Sequence, residues 1–117
     1  MTVLIAVMGE GKGTWGHVYK IIEDLEWENI IVVTQEFFRP TIRINKKHEL
    51  VLIDSNKPLP ELVEDISKAL DGKVFGDAAV NLISGNGKEH MALLASLLKV
   101  GAGVRLIALT KDGVKEI

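Results

Sequence analysis

Two apolar runs, each followed at once by a glycine-rich turn and a helical pattern, constrain the fold of this chain most strongly. The run Val3–Met8 precedes a turn at residues 9–16, and the run at residues 78–83 precedes a turn at 84–88 and a helical pattern at 89–100. Continuous apolar runs are typical of strands covered on both faces, as in a parallel sheet. Glycines let the backbone approach a ligand closely, and the first N–H groups of a helix favour anions.

The rest of the chain alternates in the same way. Periodic apolar stripes predict helices at residues 14–26 and 58–71, and Gly72 is placed to end the second of them. Apolar runs predict further strands at residues 29–34, 49–54, 104–109 and 114–117. The pattern predicts one α/β domain over residues 1–117. We expect a Rossmann-like, doubly wound, mostly parallel sheet with helices on both faces and a C-terminal β-hairpin.

Residues 35–48 break this alternation. Pro40 excludes a continuous α-helix, and residues 41–44 alternate between polar and apolar side chains. We interpret the segment as a hairpin or an edge strand. Its basic side chains either protect an exposed sheet edge, which we favour, or form a flap over an anionic ligand. These side chains are Arg39, Arg43, Lys46 and Lys47.

Composition narrows the class of protein further. The chain has 117 residues, 47% of them hydrophobic, no cysteine and a formal net charge of -2. It therefore lacks disulfides and thiolate chemistry, and it lacks the basic excess that supplies most of the affinity for duplex DNA. No apolar run has the length of a membrane span, and the N-terminal run resembles a first strand rather than a signal peptide. We expect a cytoplasmic protein, and many Lys, Glu and Ile residues would suit a thermophile.

The two glycine turns are the predicted functional site. If the strands before them are neighbours at the point where strand order reverses, both turns open onto one crevice. Lysines, hydroxyl groups and helix N-termini then favour a phosphate or a phosphodiester. The candidate ligand-binding residues are Gly9, Gly11, Lys12, Gly13, Thr14, Ser84, Gly85, Asn86, Gly87 and Lys88.

Familiar cofactor motifs do not fit these turns. The third glycine of Gly9-x-Gly11-x-Gly13 comes one place early for a dinucleotide fingerprint, and Lys12 is followed by glycine, unlike a P-loop lysine. The three histidines lack metal-ligand spacing, and no catalytic triad can be assigned. We therefore predict neither a resident cofactor nor a metal site.

Several single residues have both a structural and a functional interpretation. Lys88 falls in the first turn of a helix, where the dipole disfavours a cation, so a functional role is favoured. His17 and His90 are interpreted as partly exposed helix residues. Trp15 either stacks on a base or packs beneath its loop, and we favour packing. Phe37 and its neighbour Phe38 are predicted to close the core or to form a subunit contact.

The second turn resembles that of the CRISPR-associated Rossmann fold (CARF) family. In that family a strand ends in a Thr-Gly-Gly-Thr-Lys-like turn, and an apolar helix follows that begins near a methionine. Asn86 and Gly87 differ from the family's second glycine and second threonine, and Met91 lies one place late. The residues in the positions of the motif are Ser84, Gly85, Asn86, Gly87 and Lys88.

This resemblance implies a homodimeric module that binds a cyclic oligoadenylate. Some relatives are ring nucleases, which cut that ligand without a metal. By this resemblance Lys88 would bind phosphate, Ser84 and Asn86 would donate hydrogen bonds, and Ser84 and Lys88 would be the catalytic candidates. The functional classes left open are a nucleotide-binding module, a metal-independent ring nuclease or phosphodiesterase, and an interaction protein without a ligand.

Overall fold

A six-stranded sheet forms the centre of the protein. The computed structural model describes residues 2–117, except for the side chain of Lys12. The strands are β1 (Val3–Met8), β2 (Asn29–Gln35), β3 (Glu49–Ile53), β4 (Asp77–Asn81), β5 (Gly103–Thr110) and β6 (Gly113–Glu116). Their order is β3-β2-β1-β4-β5-β6, and only the β5–β6 pair is antiparallel among the described strands.

Helices cover both faces of this sheet. They are α1 (Trp15–Asp24), α2 (Leu59–Leu70) and α3 (Gly87–Lys99). One core cluster contains the buried side chains of α1, and the other contains those of α2 and α3. The predicted Rossmann-like α/β fold with a C-terminal hairpin is therefore confirmed. Within residues 2–117, none of these helices combines the length and the apolar character needed to cross a membrane.

Strand β1 shows why an uninterrupted apolar run was the right signal for a central strand. All six of its residues are buried. Its even-numbered side chains, such as Leu4 and Met8, enter the α1 core, and its odd-numbered side chains, such as Ile5, enter the α2–α3 core. Because successive side chains of a strand point to opposite faces, burial on both faces removes the usual polar alternation.

The prediction of a hairpin or edge strand within residues 35–48 was wrong. The segment begins with a 3-10 helix at Glu36–Thr41, and residues 42–48 form no strand before β3, so the predicted hairpin does not form. Phe38 and Ile42 are buried against the α1 core and fix the segment. The alternation around Ile42 thus reflects one anchored side chain rather than a pleated strand.

Two basic side chains of this segment, Lys46 and Arg39, bind acceptors within the protein. The ammonium group of Lys46 donates to the carbonyl oxygens of Ile22 and Leu25 at 2.8 and 2.9 Å. These carbonyls lie at the C-terminal end of α1, where unpaired acceptors and the helix dipole favour a cation. Arg39 forms an exposed ion pair with Glu36 at 2.7 Å.

The rest of the chain covers helix α3 only in part. Its inner residues, such as Leu93 and Leu97, are fully buried. Met91 and Leu98 are instead 59% and 73% exposed. One face of α3 is therefore apolar and open to solvent in the single chain.

Candidate anion-binding site

The two glycine turns lie side by side at one edge of the sheet. Strands β1 and β4 are parallel neighbours, with Val3 opposite Ala78 and Ala6 opposite Asn81, so their C-terminal ends meet at the same edge. The N–H of Gly9 donates to Ser84 Oγ at 3.0 Å. Strand order also reverses between β1 and β4, so the condition for a shared crevice is met. We call turns 9–14 and 84–88 together the double-turn rim.

Two of the glycines are required by this close approach. A Cβ on Gly85 would lie 2.6 Å from Val7 Cγ1 and 2.8 Å from Glu89 Oε1, and its φ of +96° also disfavours other residues. A Cβ on Gly9 would lie 3.0 Å from the Cα of Gly85. Packing of one turn against the other therefore accounts for this pair of glycines.

The remaining glycines of the rim are open. A Cβ placed on Gly11, Gly13 or Gly87 would have no atom within 4 Å. Gly11 still needs a glycine because its φ is +82°. Since packing does not account for Gly13 or Gly87, the open side of the rim is where backbone can approach a ligand.

A buried glutamate, which was absent from the sequence-based candidates, holds this region together. Glu89 is 1% exposed, and its carboxylate accepts hydrogen bonds from the Asn86 N–H at 3.1 Å and from Gln35 Nε2 at 3.2 Å. Ser55 Oγ donates to the same carboxylate. Glu89 thereby links the end of β2, the loop after β3 and the start of α3.

The sequence contained a signal for this role. The Asn86 side chain accepts the N–H of Glu89 at 2.9 Å, while the Glu89 carboxylate accepts the N–H of Asn86. This reciprocal pair is a capping box, which an Asn-x-x-Glu pattern before an apolar helix indicates. Reading the pattern would have identified Asn86 as a helix cap and Glu89 as its partner.

The capping box leaves two backbone donors at the start of α3. Within residues 2–117, the N–H groups of Gly87 and Lys88 have no hydrogen-bond partner. Lys88 is partly buried and forms no ion pair with any described residue. Two free N–H groups and an unpaired ammonium at a helix N-terminus are the elements of an anion site.

The other polar candidates already have partners within the fold. Ser84 is 1% exposed and accepts the Gly9 N–H, so its hydroxyl joins the two turns. Thr14 Oγ1 donates to the Gly11 carbonyl at 2.6 Å. The side chain of Lys12 lies outside the described part of the chain. Direct contact with a ligand therefore falls first to the backbone and to Lys88.

The two histidines near the rim make structural contacts. His90 Nε2 lies 2.7 Å from the Ser84 carbonyl oxygen, which it reaches as a donor. His17 Nε2 accepts the N–H of Leu109 at 3.1 Å, which requires a neutral ring. Burial lowers the pKa of His17 and so favours that neutral form.

Trp15 packs beneath the first turn, as we favoured from the sequence. It is buried, and its indole N–H donates to the Gly9 carbonyl at 3.0 Å. Its ring also contacts Phe38 edge to face, with a centroid separation of 5.8 Å. The indole therefore supports the loop from below and is not available for stacking on a base.

A cleft of about 640 Å³ lies at the opposite edge of the sheet, around the starts of β2 and β3. Its lining includes three carboxylates, those of Glu26, Glu28 and Glu49, and two lysines. Lys46 already donates to carbonyls of α1, and Lys47 is exposed. A hydrogen bond from Lys73 lowers the pKa of Glu49 below its ordinary value. The cleft could hold a phosphate by its volume, but its three carboxylates outnumber its one uncommitted lysine, so we place the anion site at the double-turn rim.

Comparisons of the sequence with known proteins do not assign the chain to a family, so its classification rests on the fold. No model of a protein family matches the chain, and no curated protein is similar to it in sequence. Among residues 2–117, no three His, Asp or Glu side chains are grouped in a way that could hold a metal ion. The chain is thus classified as a Rossmann-like α/β protein by its strand order and its helix-covered sheet.

Proposed function

We propose that this protein binds an anionic nucleotide at the double-turn rim. The observation that carries the proposal is the hydrogen bond between the Gly9 N–H and Ser84 Oγ, which joins the two turns at 3.0 Å. It places the free N–H groups of Gly87 and Lys88 on the same edge as the open first turn. Donors from two turns suit a ligand with more than one phosphate oxygen to bind.

Lys88 is the charged group of the second turn that favours an anion, whereas the first turn carries both Lys12 and the exposed Glu10. Lys88 stands in the first turn of α3, where the helix dipole disfavours a cation by about 0.3–1 kcal/mol. A bound phosphate would offset this unfavourable interaction, because its negative charge attracts both the Lys88 ammonium and the positive end of the helix dipole. The nearby carboxylate of Glu89 is buried and accepts from three donors of the fold. Its charge is therefore partly compensated within the protein.

A cyclic oligoadenylate is the nucleotide that we propose. The support is the resemblance of residues 84–88 to the CARF turn, together with the adjacency of the two turns that such a ligand would contact. We further propose that two copies of the chain form a homodimer, because a ligand with repeated phosphates can be held by two such rims at once.

The outer surface around α3 supports the proposed homodimer. Large exposed side chains surround it: Ile83, Met91, Leu98, Leu106 and Ile117. Three of them, Ile83, Leu106 and Ile117, line an apolar groove of about 210 Å³ between β4 and β5, and we call these five side chains together the α3 outer face. A two-fold contact uses the same patch on both copies, and apolar side chains can meet their own copies without repulsion. Since Ile83 adjoins the second turn, such a contact would bring the two rims near each other.

Equilibrium binding of cyclic tetra-adenylate and cyclic hexa-adenylate tests the proposal. We expect Lys88→Ala to weaken binding by about tenfold or more, because a hydrogen bond to a charged group is lost. Lys99→Ala, at the other end of the same helix, is the matched control and should bind like the wild type. Absence of binding by the wild type to either ligand would overturn the proposal.

Binding is favoured over cleavage of the ligand by the burial of Ser84. Its hydroxyl is engaged with the Gly9 N–H and is 1% exposed, so it is placed to support the turn rather than to reach a phosphodiester. Chromatography of cyclic tetra-adenylate after incubation with the protein and EDTA separates the two activities. Unchanged ligand is the expected result, and linear products would identify a metal-independent ring nuclease.

A further inference from the structure

Three aromatic rings form a continuous path from beneath the first glycine turn to the surface. Trp15 donates to the Gly9 carbonyl and contacts Phe38 edge to face. Phe38 in turn contacts Phe37, with ring centroids 5.2 Å apart and an interplanar angle of 81°. Trp15 and Phe38 are buried, whereas Phe37 is 77% exposed. The path therefore ends in a large aromatic ring that faces solvent.

The exposed ring lies at the same edge of the sheet as the double-turn rim. Phe37 follows the last residue of β2, Gln35, by two positions, which span at most about 7 Å. The Gln35 amide donates to Glu89 in the first turn of α3 at 3.2 Å. Strand β2 is also the parallel neighbour of β1, whose end carries Gly9. A ligand on the rim thus has an aromatic ring within reach of one nucleotide unit.

The segment that carries Phe37 is anchored to the protein. Phe38 and Ile42 are buried in the α1 core, and the Arg43 N–H donates to the Tyr19 hydroxyl at 3.1 Å. Pro40 restricts the backbone further, and a 3-10 helix of three residues per turn places it on the same exposed side as Phe37. Because the backbone is already ordered, stacking on this ring carries a small entropic cost.

We infer that Phe37 stacks on the base of a nucleotide whose phosphates occupy the double-turn rim. The inference rests on the proposed function and adds the part of the site that distinguishes a nucleotide from a simple oligophosphate. Aromatic rings stack on any base through the π-face, so the ring supplies affinity for a nucleobase without a hydrogen-bond code. Phosphate binding at Lys88 and base stacking at Phe37 are then separable contributions.

The experiment compares the binding of two probes. The first is cyclic tetra-adenylate in which one adenine is replaced by 2-aminopurine, and the second is inorganic tripolyphosphate, which has no base. We expect Phe37→Ala to weaken binding of the cyclic nucleotide by about tenfold and to leave tripolyphosphate binding unchanged. Phe37→Trp should retain nucleotide affinity, and wild-type protein should quench 2-aminopurine fluorescence through stacking. Phe75→Ala is the matched control, because Phe75 is 82% exposed and precedes β4 at the opposite edge.

Each outcome separates this inference from the function on which it rests. Equal nucleotide affinity in Phe37→Ala and wild type, or no quenching, would overturn stacking while leaving the rim as an anion site. An equal loss for both probes, with a change in sedimentation, would assign Phe37 to a subunit contact instead. If the wild type binds tripolyphosphate but not the nucleotide, stacking and the nucleotide proposal both fail. If it binds neither probe, the rim itself fails.

Discussion

At the scale of single residues, the glycines of the double-turn rim divide into two groups by what surrounds them. Gly85 would place a Cβ against Val7 and Glu89, so its small size is needed for the fold. A Cβ on Gly87 would have no atom within 4 Å, so packing within the protein does not require a glycine at this position. Glycine is thus required by packing at position 85, whereas at position 87 it lies on an open surface.

Gly85→Ala is expected to destabilise the protein by about 2–4 kcal/mol. The left-handed φ of +96° penalises any Cβ, and the contact of 2.6 Å with Val7 Cγ1 forces the core to shift. Gly87→Ala, two residues further on, should change the free energy of unfolding by less than about 0.5 kcal/mol. Urea unfolding of both variants makes the comparison, and similar stabilities would contradict the account of this turn.

Glu89→Gln is expected to destabilise the protein by about 1.5–3 kcal/mol, although it preserves the shape of the side chain. One carboxylate oxygen becomes a donor, and it then faces donors from Gln35 and Ser55. Glu64→Gln is the control, since its ion pair with Lys68 is exposed and contributes little. Thermal and urea unfolding should separate the two variants, and equal stabilities would exclude a structural role for the buried carboxylate.

At the scale of elements, burial explains which predictions from sequence succeeded. The strands at the centre and the three helices were found because their apolar patterns match the faces they bury, as in α2, whose inner residues include Leu62 and Ile66. The 3-10 helix at Glu36–Thr41 was missed because the alternation that follows it comes from one anchored side chain, Ile42, and not from a pleated strand. The exposed apolar face of α3 was not foreseen, since periodicity reveals apolar faces but not what covers them.

The α3 outer face leads to a prediction about assembly. We expect the wild type to sediment as a dimer and Met91→Glu/Leu98→Glu to sediment as a monomer, because charges would be buried on both sides of a two-fold contact. Phe75→Glu also changes an exposed apolar side chain, but on another surface, and should remain dimeric. A monomeric wild type, or a dimeric double variant, would contradict the proposed contact.

The link between α1 and β5 should depend on pH through His17. Its ring accepts the Leu109 N–H, and burial holds its pKa below the ordinary value of 6.5. The contribution of neutral His17 is therefore complete above about pH 6.5 and is lost as the pH falls through the lowered folded value. The stability gap between wild type and His17→Gln should shrink from pH 7 to pH 5 in urea unfolding. A gap that stays constant or widens on acidification would contradict this assignment.

At the scale of the whole molecule, the strand order brings the two glycine turns, which are far apart in the sequence, to one edge of the sheet. The sequence predicted both turns and showed that they would meet only if the strands before them were neighbours. It did not determine whether those strands are neighbours, because strand order depends on how the whole sheet assembles. The structure supplies it: β1 and β4 are neighbours, and the Gly9 N–H reaches Ser84. The capping pattern of Asn86 and Glu89 was present in the sequence, but the burial of Glu89 and the exposure of Phe37 depend on distant parts of the chain and could not be predicted from it.

The most direct test of the central claim is an amide NMR titration of the protein with cyclic tetra-adenylate. We expect the resonances of Gly11, Gly13, Gly87 and Lys88 to shift together with a single dissociation constant, because one ligand contacts both turns. Shifts confined to one turn, or centred on the opposite cleft around Trp27 and Glu49, would contradict a shared site at the double-turn rim.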